Sequence, residues 1–430
     1  MDRLRDTAAR LHAGPGRRLR ILLSAYACEP GVGSEPGIGW RWALNLAAAG
    51  HEVHVITRGN NRGRIEAALA SHPAAGVHFA YYDLPAWARW WKKGGRGVHL
   101  YYFLWQWGAW RVARRLCRQH CFDLVHHITF GVFRQPSFLA FLGLPFVFGP
   151  VGGGERAPWR LRRGLPLGGQ LADLARDAAN GLARLDPLLN AMLARSDVVL
   201  CKTPETLATL PRRHRHKCRL LLEIGCDGAG RADVPRAAGE LRLLYVGRLV
   251  PVKGVHLALA AFARLLHRHP GARFTVVGDG PERPRLQRIA ESLDITHAIE
   301  WRSWLPREEV MALYPEHDVF LFPSLHDSSG NAVLEALASG VPVVCLNLGG
   351  PAVLVDDSCG MRVTARSEEE AVMGLAHALL ALADDPRRRA RMARAAAARA
   401  RREYSWAAQT ERMNRIYAEV LQKRAIREVV

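Results

Sequence analysis

The order strand, glycine loop, helix, strand occurs twice along the chain, and this constrains the fold more than any other feature. Residues 20–26 have the composition of a buried strand, a glycine-rich loop follows, and residues 51–57 form the next strand. The order restarts with an apolar strand at 241–246 that ends in Gly247-Arg248. Because a helical crossover joins parallel strands, each series predicts a parallel sheet covered by helices.

Other short apolar runs predict the remaining strands of both sheets. We expect them at 77–82, 123–128, 145–149 and 197–201 in the first series, and at 273–277, 298–301, 318–322 and 341–346 in the second. A chain of 430 residues has the length of two or three domains. The sequence therefore predicts an α/β protein with two Rossmann-like, doubly wound domains and ligands at the carboxyl ends of the strands.

A polar stretch between the two series suggests where the domains divide. We predict a first domain at 1–210, a linker at 211–240, a second domain at 241–403 and a C-terminal helix at 404–430.

The net charge of +20 creates a field that attracts anions. Nucleic acid, an acidic membrane surface and phosphate-bearing substrates all fit this field, although no nucleic-acid-binding module is recognisable.

The eight cysteines form no CxxC pair, and no His/Cys spacing indicates a metal site. No apolar run has the length of a membrane span, and no signal peptide is evident. These features predict a cytoplasmic protein without a metal.

The strongest local signal follows the predicted strand at 318–322. A glycine turn opens a helix at about Asn331, whose first amides are unpaired and carry the positive end of the helix dipole. The N-terminus of such a helix is a favourable binding site for a diphosphate. Glu335 lies about one turn further and has the acceptor oxygens that a ribose diol needs, while Asp327 precedes it by eight positions. The alternative is an unpartnered surface aspartate and helix glutamate.

A second signal lies at the end of the strand at 241–246. Gly247-Arg248 is followed by Lys253-Gly254, so two cations five positions apart lie between two glycines. Such a pair suits a diphosphate gripped from two sides. Lys253 is one of six lysines among many arginines. Solvated basic loop residues remain the alternative.

Two weaker signals lie in the first series. The loop at 31–39 lacks true GxGxxG spacing, so it is either a phosphate- or sugar-binding helix start near Gly37 or only a tight turn. His126 and His127 end a predicted strand, and strand alternation places them on opposite faces. The sequence leaves open which of them faces a cleft.

With these residues in place, the chain resembles the retaining nucleotide-sugar glycosyltransferases of family 4, which have the GT-B fold. The resemblance covers nearly the whole chain, and its specific part is the second series: VGRLVPVKG, VVGDGPERPRL, DVFLFPS and LEALASGVPVV followed by LGGP. It implies two domains facing a central cleft, with the C-terminal helix crossing back to the first domain.

The resemblance implies roles for four charged residues. Glu335 matches the second member of a Glu–seven residues–Glu pair and is implied to bind the donor ribose. The first member is Asp327 here, a departure that shortens the arm by one methylene and bears on the contact with the donor sugar. Arg248 and Lys253 match the cations that hold the donor diphosphate.

The remaining implied contacts are mostly made by backbone. The amides of Gly330, Asn331 and Ala332 match a phosphate cradle, and Leu305 falls where such enzymes contact the base. His126 matches a histidine beside the anomeric centre. Family members generally work without a bound metal or other cofactor, so neither is expected.

The resemblance implies a hexosyltransferase in polysaccharide or cell-envelope glycoconjugate synthesis. The donor would be a UDP-, GDP- or ADP-sugar, and the acceptor a glycan or a lipid-linked molecule. The alternatives are another GT-B sugar-nucleotide enzyme, such as an epimerase or phosphorylase, and a non-catalytic member of the family.

Residues 86–122 carry a further signal, because they contain six of the twelve tryptophans, eight basic residues and no acidic residue. Basic residues with interfacial aromatics suit an anionic membrane surface, and Trp159-Arg-Leu-Arg-Arg163 repeats the pattern. This predicts peripheral association with the inner face of the cytoplasmic membrane. The alternative is that the tryptophans pack in the core and the arginines are solvated.

Overall fold

A computed structural model describes residues 17–91, 97–227 and 240–429, which divide into two compact units. The first contains the chain up to Gly154, Asn180–Glu223 and the chain from Ala407 onward. The second contains Glu155–Ala179 and Ile224–Trp406.

Thirteen strands occur in the described residues, and all of their pairings are parallel. They are β1 (Arg20–Ala25), β2 (Glu52–Arg58), β3 (Val77–Tyr82), β4 (Leu124–Thr129), β5 (Phe146–Val151), β6 (Val198–Cys201), β7 (Cys218–Leu220), β8 (Arg242–Val246), β9 (Arg273–Val277), β10 (Ile299–Arg302), β11 (Val319–Phe322), β12 (Val343–Leu346) and β13 (Gly360–Val363).

Fifteen α-helices connect and cover these strands in the described part of the chain. They are α1 (Ser34–Ala48), α2 (Arg62–Ser71), α3 (Val98–Gln119), α4 (Trp159–Arg162), α5 (Leu167–Ala183), α6 (Pro187–Arg195), α7 (Pro204–Thr209), α8 (Val255–Arg268), α9 (Arg283–Ser292), α10 (Arg307–Leu313), α11 (Asn331–Ala338), α12 (Gly349–Leu354), α13 (Glu368–Asp384), α14 (Pro386–Tyr404) and α15 (Trp406–Val429).

Each unit is built around one sheet. The order is β3-β2-β1-β4-β5-β6-β7 in the first unit and β10-β9-β8-β11-β12-β13 in the second. In both sheets the order reverses after the first three strands, so a topological switch point lies between β1 and β4 and between β8 and β11. The central strands are buried on both faces, as in β4, β5 and β11, which is typical of a parallel sheet between two helical layers.

This architecture confirms the prediction of two doubly wound α/β domains. The predicted strands occur within two residues of their expected bounds. Two edge strands, β7 and β13, were missed, because each has only three or four residues and little apolar sequence.

The predicted division of the chain differs from the two compact units at two places, whereas the C-terminal helix groups with the first unit as expected. Glu155–Ala179 was expected in the first domain but groups with the second unit. The expected linker at 211–240 contains a 3-10 helix, Arg212–Lys217, and the strand β7, which joins the first sheet. Residues 228–239 of that linker lie outside the described residues. From Ala407 onward, α15 belongs to the first unit.

Candidate functional site

The candidate site of the second unit is assembled from loops at the carboxyl ends of β8 and β11. The loop after β8 continues through a 3-10 helix, Pro251–Lys253, and turns at Gly254. Gly254 has a φ of 66°, and a Cβ atom there would lie 2.2 Å from the carbonyl oxygen of Pro323, so only glycine fits. The Leu325 amide donates to the Val252 carbonyl at 2.9 Å, which joins this loop to the one after β11.

Lys253 and Asp327 meet where these loops join. The Lys253 ammonium is paired with the Asp327 carboxylate and lies 5.3 Å from the centroid of the Phe322 ring. The other carboxylate oxygen of Asp327 accepts hydrogen bonds from the amides of Ser329 at 3.1 Å and Gly330 at 2.7 Å. Burial alone would raise the pKa of Asp327, but the Lys253 ammonium and the two amides hold it below its usual value. Asp327 is therefore ionised at neutral pH.

The helix α11 begins directly after this turn. Gly330 is its N-cap with a φ of 76°. The Gly330 amide is already bonded to Asp327, but among the described residues no acceptor is bonded to the amides of Asn331 and Ala332. These two donors carry the positive end of the helix dipole and are available to an anion. Of the three amides predicted to form a cradle, the structure leaves two open.

Glu335 lies one turn into α11 with its side chain 19% exposed. It pairs with Arg307 at 2.7 Å and accepts a hydrogen bond from the Tyr314 hydroxyl at 3.2 Å. Burial raises the pKa of Glu335, against the opposing effects of Arg307 and Tyr314. The sequence did not predict the contact with Arg307, because α10 and α11 are separated by a strand.

Arg248 lies on the same loop after β8 as Lys253, and Leu305 lies on the loop after β10. Arg248 is exposed, and in the part of the chain that the structure describes its guanidinium has no ion-pair partner. Leu305 is half-buried after the exposed Trp304, whose amide donates to Asp279 at 2.8 Å. Asp279 follows β9, and its carbonyl accepts from the Leu249 amide at 2.9 Å. The loops that carry Arg248 and Leu305 are therefore tied together through the loop after β9.

His126 lies in the interior of the first unit, and its place beside an anomeric centre stays a prediction. Its side chain is fully buried in the first unit, with Nδ1 2.7 Å from the Tyr417 hydroxyl and Nε2 2.7 Å from the Gly149 carbonyl oxygen. Burial lowers the pKa of His126 to about 4, so the ring is neutral at pH 7. Both nitrogens have protein partners, and this placement argues for a structural role.

His127 is equally buried on the opposite side of β4. It lies 3.2 Å from the Tyr102 hydroxyl and 3.3 Å from the Ser24 hydroxyl. The predicted alternation of the two rings is confirmed, and neither ring is exposed to solvent.

The helix predicted near Gly37 begins earlier, at Ser34. Gly37 therefore lies inside the first turns of α1 rather than at its N-terminus. A Cβ atom at Gly37 would lie 2.0 Å from the Val32 carbonyl oxygen, and one at Gly39 would lie 2.1 Å from that of Ala27. These glycines allow the helix to pack against the loop that precedes it, which favours the tight-turn interpretation.

One group of side chains in the described residues has the arrangement of metal ligands. Glu52, His54 and His78 place ligand-type atoms within 4.8 Å of one another in the first unit. This group was not predicted from the sequence, because His54 and His78 become neighbours only through the register of β2 and β3. Glu52 already pairs with Arg20 at 3.0 Å and His54 at 3.1 Å, so these contacts account for the group without a metal.

Comparison with known proteins shows that the second half of the chain is similar in sequence to glycosyltransferases. The family model for glycosyl transferases group 1 matches residues 230–399. A glycogen synthase of Mycobacterium tuberculosis is 36% identical over 169 residues, and a D-inositol 3-phosphate glycosyltransferase of Corynebacterium aurimucosum is 33% identical over 184 residues. These matches cover 39% and 41% of this chain. They span only 40% and 42% of the lengths of the two relatives.

Solved structures resemble the chain over nearly all of its length. Sucrose-phosphate synthase from Thermosynechococcus elongatus superposes with a TM-score of 0.65 at 18% identity, covering 94% of this chain and 100% of that one. HepE from Anabaena, solved in complex with UDP and glucose, gives a TM-score of 0.58 at 15% identity, covering 93% and 99%. At this identity the likeness shows the fold, while the sequence matches show the family of the second half. Residues 230–399 of this chain therefore form a domain of the glycosyl transferases group 1 family.

Proposed function

We propose that the protein is a retaining glycosyltransferase that takes a sugar from a nucleotide donor. The observation that carries this proposal is the meeting of Lys253, Asp327 and the open N-terminus of α11 at the switch point between β8 and β11. Cations and helix amides stabilise a diphosphate as negative charge grows on it, so this chain's own residues supply that stabilisation without a metal. The relatives named as glycosyltransferases support the same activity.

The site divides into parts that suit the parts of a nucleotide sugar. Arg248, Lys253 and the amides of Asn331 and Ala332 would hold the diphosphate. Glu335 would accept hydrogen bonds from the ribose hydroxyls. The Leu305 backbone would contact the base, and Asp327 would face the transferred sugar. We propose a UDP-, GDP- or ADP-sugar as the donor, since these contacts do not distinguish the bases.

A thermal-shift panel of nucleotide sugars tests donor binding. A ligand at 100 times its dissociation constant stabilises the folded state by about 2.7 kcal/mol. We expect one nucleotide sugar to raise the melting temperature clearly, and its nucleoside diphosphate to do so as well. Free sugars are the control and should have no effect. A panel in which no nucleotide or nucleotide sugar shifts the transition would contradict the proposal.

The alternative function is a different sugar-nucleotide enzyme with the same fold, such as an epimerase, or a non-catalytic protein. The paired Lys253 and Asp327 and the available Arg248 favour catalysis. After a donor has been found, products separate the alternatives: free nucleoside diphosphate indicates transfer or hydrolysis, whereas an altered sugar on an intact nucleotide indicates epimerisation.

We further propose that the acceptor is a glycan or a lipid-linked molecule reached at an anionic membrane surface. The support is the exposed face of α3, where Leu100, Phe103, Leu104 and Trp107 occupy the first turns and are between 38% and 57% exposed. Exposed arginines continue the same face in the last turns: Arg111, Arg114, Arg115 and Arg118. Exposed aromatic and leucine side chains beside basic ones suit the interface of an anionic bilayer.

The tryptophans of residues 86–122 divide into two groups. Trp87, Trp90 and Trp107 are exposed and Trp110 is half-buried, whereas Trp105 is fully buried and Trp91 packs against the core. The core-packing alternative drawn from the sequence therefore applies to only part of the segment. Three of its basic residues, Lys92, Lys93 and Arg96, lie outside the described residues.

The second predicted membrane segment, residues 156–163, retains only part of its pattern. Trp159 is exposed, but the guanidinium of Arg162 is buried and pairs with Asp177 at 2.8 Å and Asp173 at 3.6 Å. We therefore assign membrane contact to the α3 face and to Trp87 and Trp90. No helix in the described residues combines the length and apolarity needed to cross a bilayer.

Liposome co-sedimentation tests this assignment. Each basic residue near an anionic surface contributes up to about 1 kcal/mol, and salt weakens the attraction. We expect binding to vesicles that contain anionic lipid at low salt, and release at high salt. Replacing Trp87, Trp90 and Trp107 together with serine should abolish most of the binding.

Trp304→Ser is the matched control, because Trp304 is 73% exposed and lies in the second unit. Binding that survives the triple replacement, or that is lost equally in the control, would show that the α3 face is not the membrane contact.

A further inference from the structure

One buried carboxylate near the proposed donor site has no role in the function described so far. Glu155 is only 1% exposed and comes from the segment Glu155–Ala179, which lies between β5 and β6 of the first sheet in sequence but belongs to the second unit. Burying a carboxylate is costly unless hydrogen bonds or charges compensate it. The neighbours that provide this compensation show what Glu155 holds in place.

Those neighbours belong to the loop that carries Asp327. The Ser328 hydroxyl donates to the Glu155 carboxylate at 2.8 Å, and Nε2 of His326 lies 3.9 Å from the same oxygen. Glu155 therefore contacts the residues on both sides of Asp327. Asp327 itself faces Lys253 and the turn that opens α11.

Two glycines at the start of α12 also restrict the loop that carries Asp327. The Gly350 amide donates to the Asp327 carbonyl at 2.8 Å. Gly349 has a φ of 60°, and a Cβ atom there would lie 2.3 Å from the Asp327 carbonyl oxygen and 3.3 Å from Cγ of Glu155. Glu155 and the Asp327 backbone thus pack against the same glycine, and the loop has little room to move.

We infer that Glu155 is a positioning residue that fixes Asp327 through Ser328 and so determines how the transferred sugar is held, an inference that rests on the proposed function. Ser328 is joined to Asp327 by one peptide bond, so the hydrogen bond from its hydroxyl to Glu155 restrains the backbone that carries the Asp327 carboxylate. The hydrogen bond between Ser328 and Glu155 involves none of Arg248, Glu335 and the open amides of α11. The effect should therefore fall on the sugar and not on the nucleotide.

The test is a double-mutant cycle with Glu155→Ala and Ser328→Ala. We expect each single change to lower kcat with the nucleotide-sugar donor about tenfold, as for the loss of one hydrogen bond to a charged group. The affinity for the nucleoside diphosphate should stay within about twofold. Because both residues act through one hydrogen bond, the double variant should be no worse than the single ones. Glu155→Gln retains an acceptor oxygen for Ser328 and should recover most of the lost turnover.

Asp318→Asn is the matched control, since Asp318 is 2% exposed and lies beside the amino end of β11, the opposite end from Asp327. A purely structural role for Glu155 predicts a lower melting temperature and weaker nucleoside diphosphate binding together, as well as additive losses, and that result would overturn the inference.

Ser328→Ala removes only a hydroxyl, so it gives an answer even if Glu155→Ala does not fold. If the unchanged protein binds no nucleotide sugar, the proposed function fails and the inference fails with it. If the unchanged protein turns over its donor and the Ser328 and Glu155 variants match it, only the inference fails.

Discussion

Arg248→Ala and Lys253→Ala are each expected to reduce turnover by about 10²–10³, which corresponds to roughly 2–4 kcal/mol for the loss of one electrostatic donor from a reacting site. Both side chains are proposed to face charge that grows on the leaving diphosphate. The measurement is steady-state transfer or donor hydrolysis with the donor found in the thermal-shift panel. Arg394→Ala is the control, because Arg394 is exposed on α14 of the same unit.

The two variants should differ in their effect on stability. Arg248 is exposed without an ion-pair partner among the described residues, so its removal should leave the melting temperature unchanged. Lys253 compensates the buried Asp327 carboxylate, and its removal leaves that charge unpaired, which is destabilising. The double variant Lys253→Ala, Asp327→Asn removes both charges and should melt closer to the unchanged protein. Near-normal turnover in both single variants would contradict the diphosphate assignment.

The fold was predictable from the sequence because parallel strands in doubly wound domains are short, continuous apolar runs that are separated by glycine turns. β1, β4, β9 and β11 all have this form. The misplaced boundary has a physical cause as well: Glu155–Ala179 is continuous in sequence with the first series and carries no composition change. Its membership of the second unit depends on contacts such as Glu155 with Ser328, which sequence order does not reveal.

The candidate site was predictable where backbone geometry follows from sequence. Glycine turns after β8 and before α11 identified Lys253 and Asn331 directly. The partners of each charge were not predictable, because the contacts of Lys253 with Asp327 and of Arg307 with Glu335 join residues that are distant in sequence. The burial of His126 was also hidden, since Tyr417, its partner, lies 291 positions later in α15.

The two acidic residues of the proposed donor site should respond differently to loss of charge. Glu335→Gln is expected to weaken nucleoside diphosphate binding by about 10- to 100-fold, because a hydrogen bond to a charged group contributes about 1.5–3 kcal/mol. It also leaves Arg307 without its carboxylate. Isothermal titration calorimetry with the nucleoside diphosphate and with the intact donor measures both affinities.

Asp327→Asn should leave nucleoside diphosphate affinity unchanged or raise it. Asn keeps an oxygen for the amides of Ser329 and Gly330, and loss of the negative charge frees Lys253 to face the diphosphate. Donor turnover should nevertheless fall, because the group proposed to face the sugar has lost its charge. The ratio of donor affinity to nucleoside diphosphate affinity therefore separates the two sites: Asp327→Asn should lower this ratio, whereas Glu335→Gln should lower both affinities together. Equal losses of nucleoside diphosphate affinity in the two variants would show that the ribose and sugar assignments are wrong.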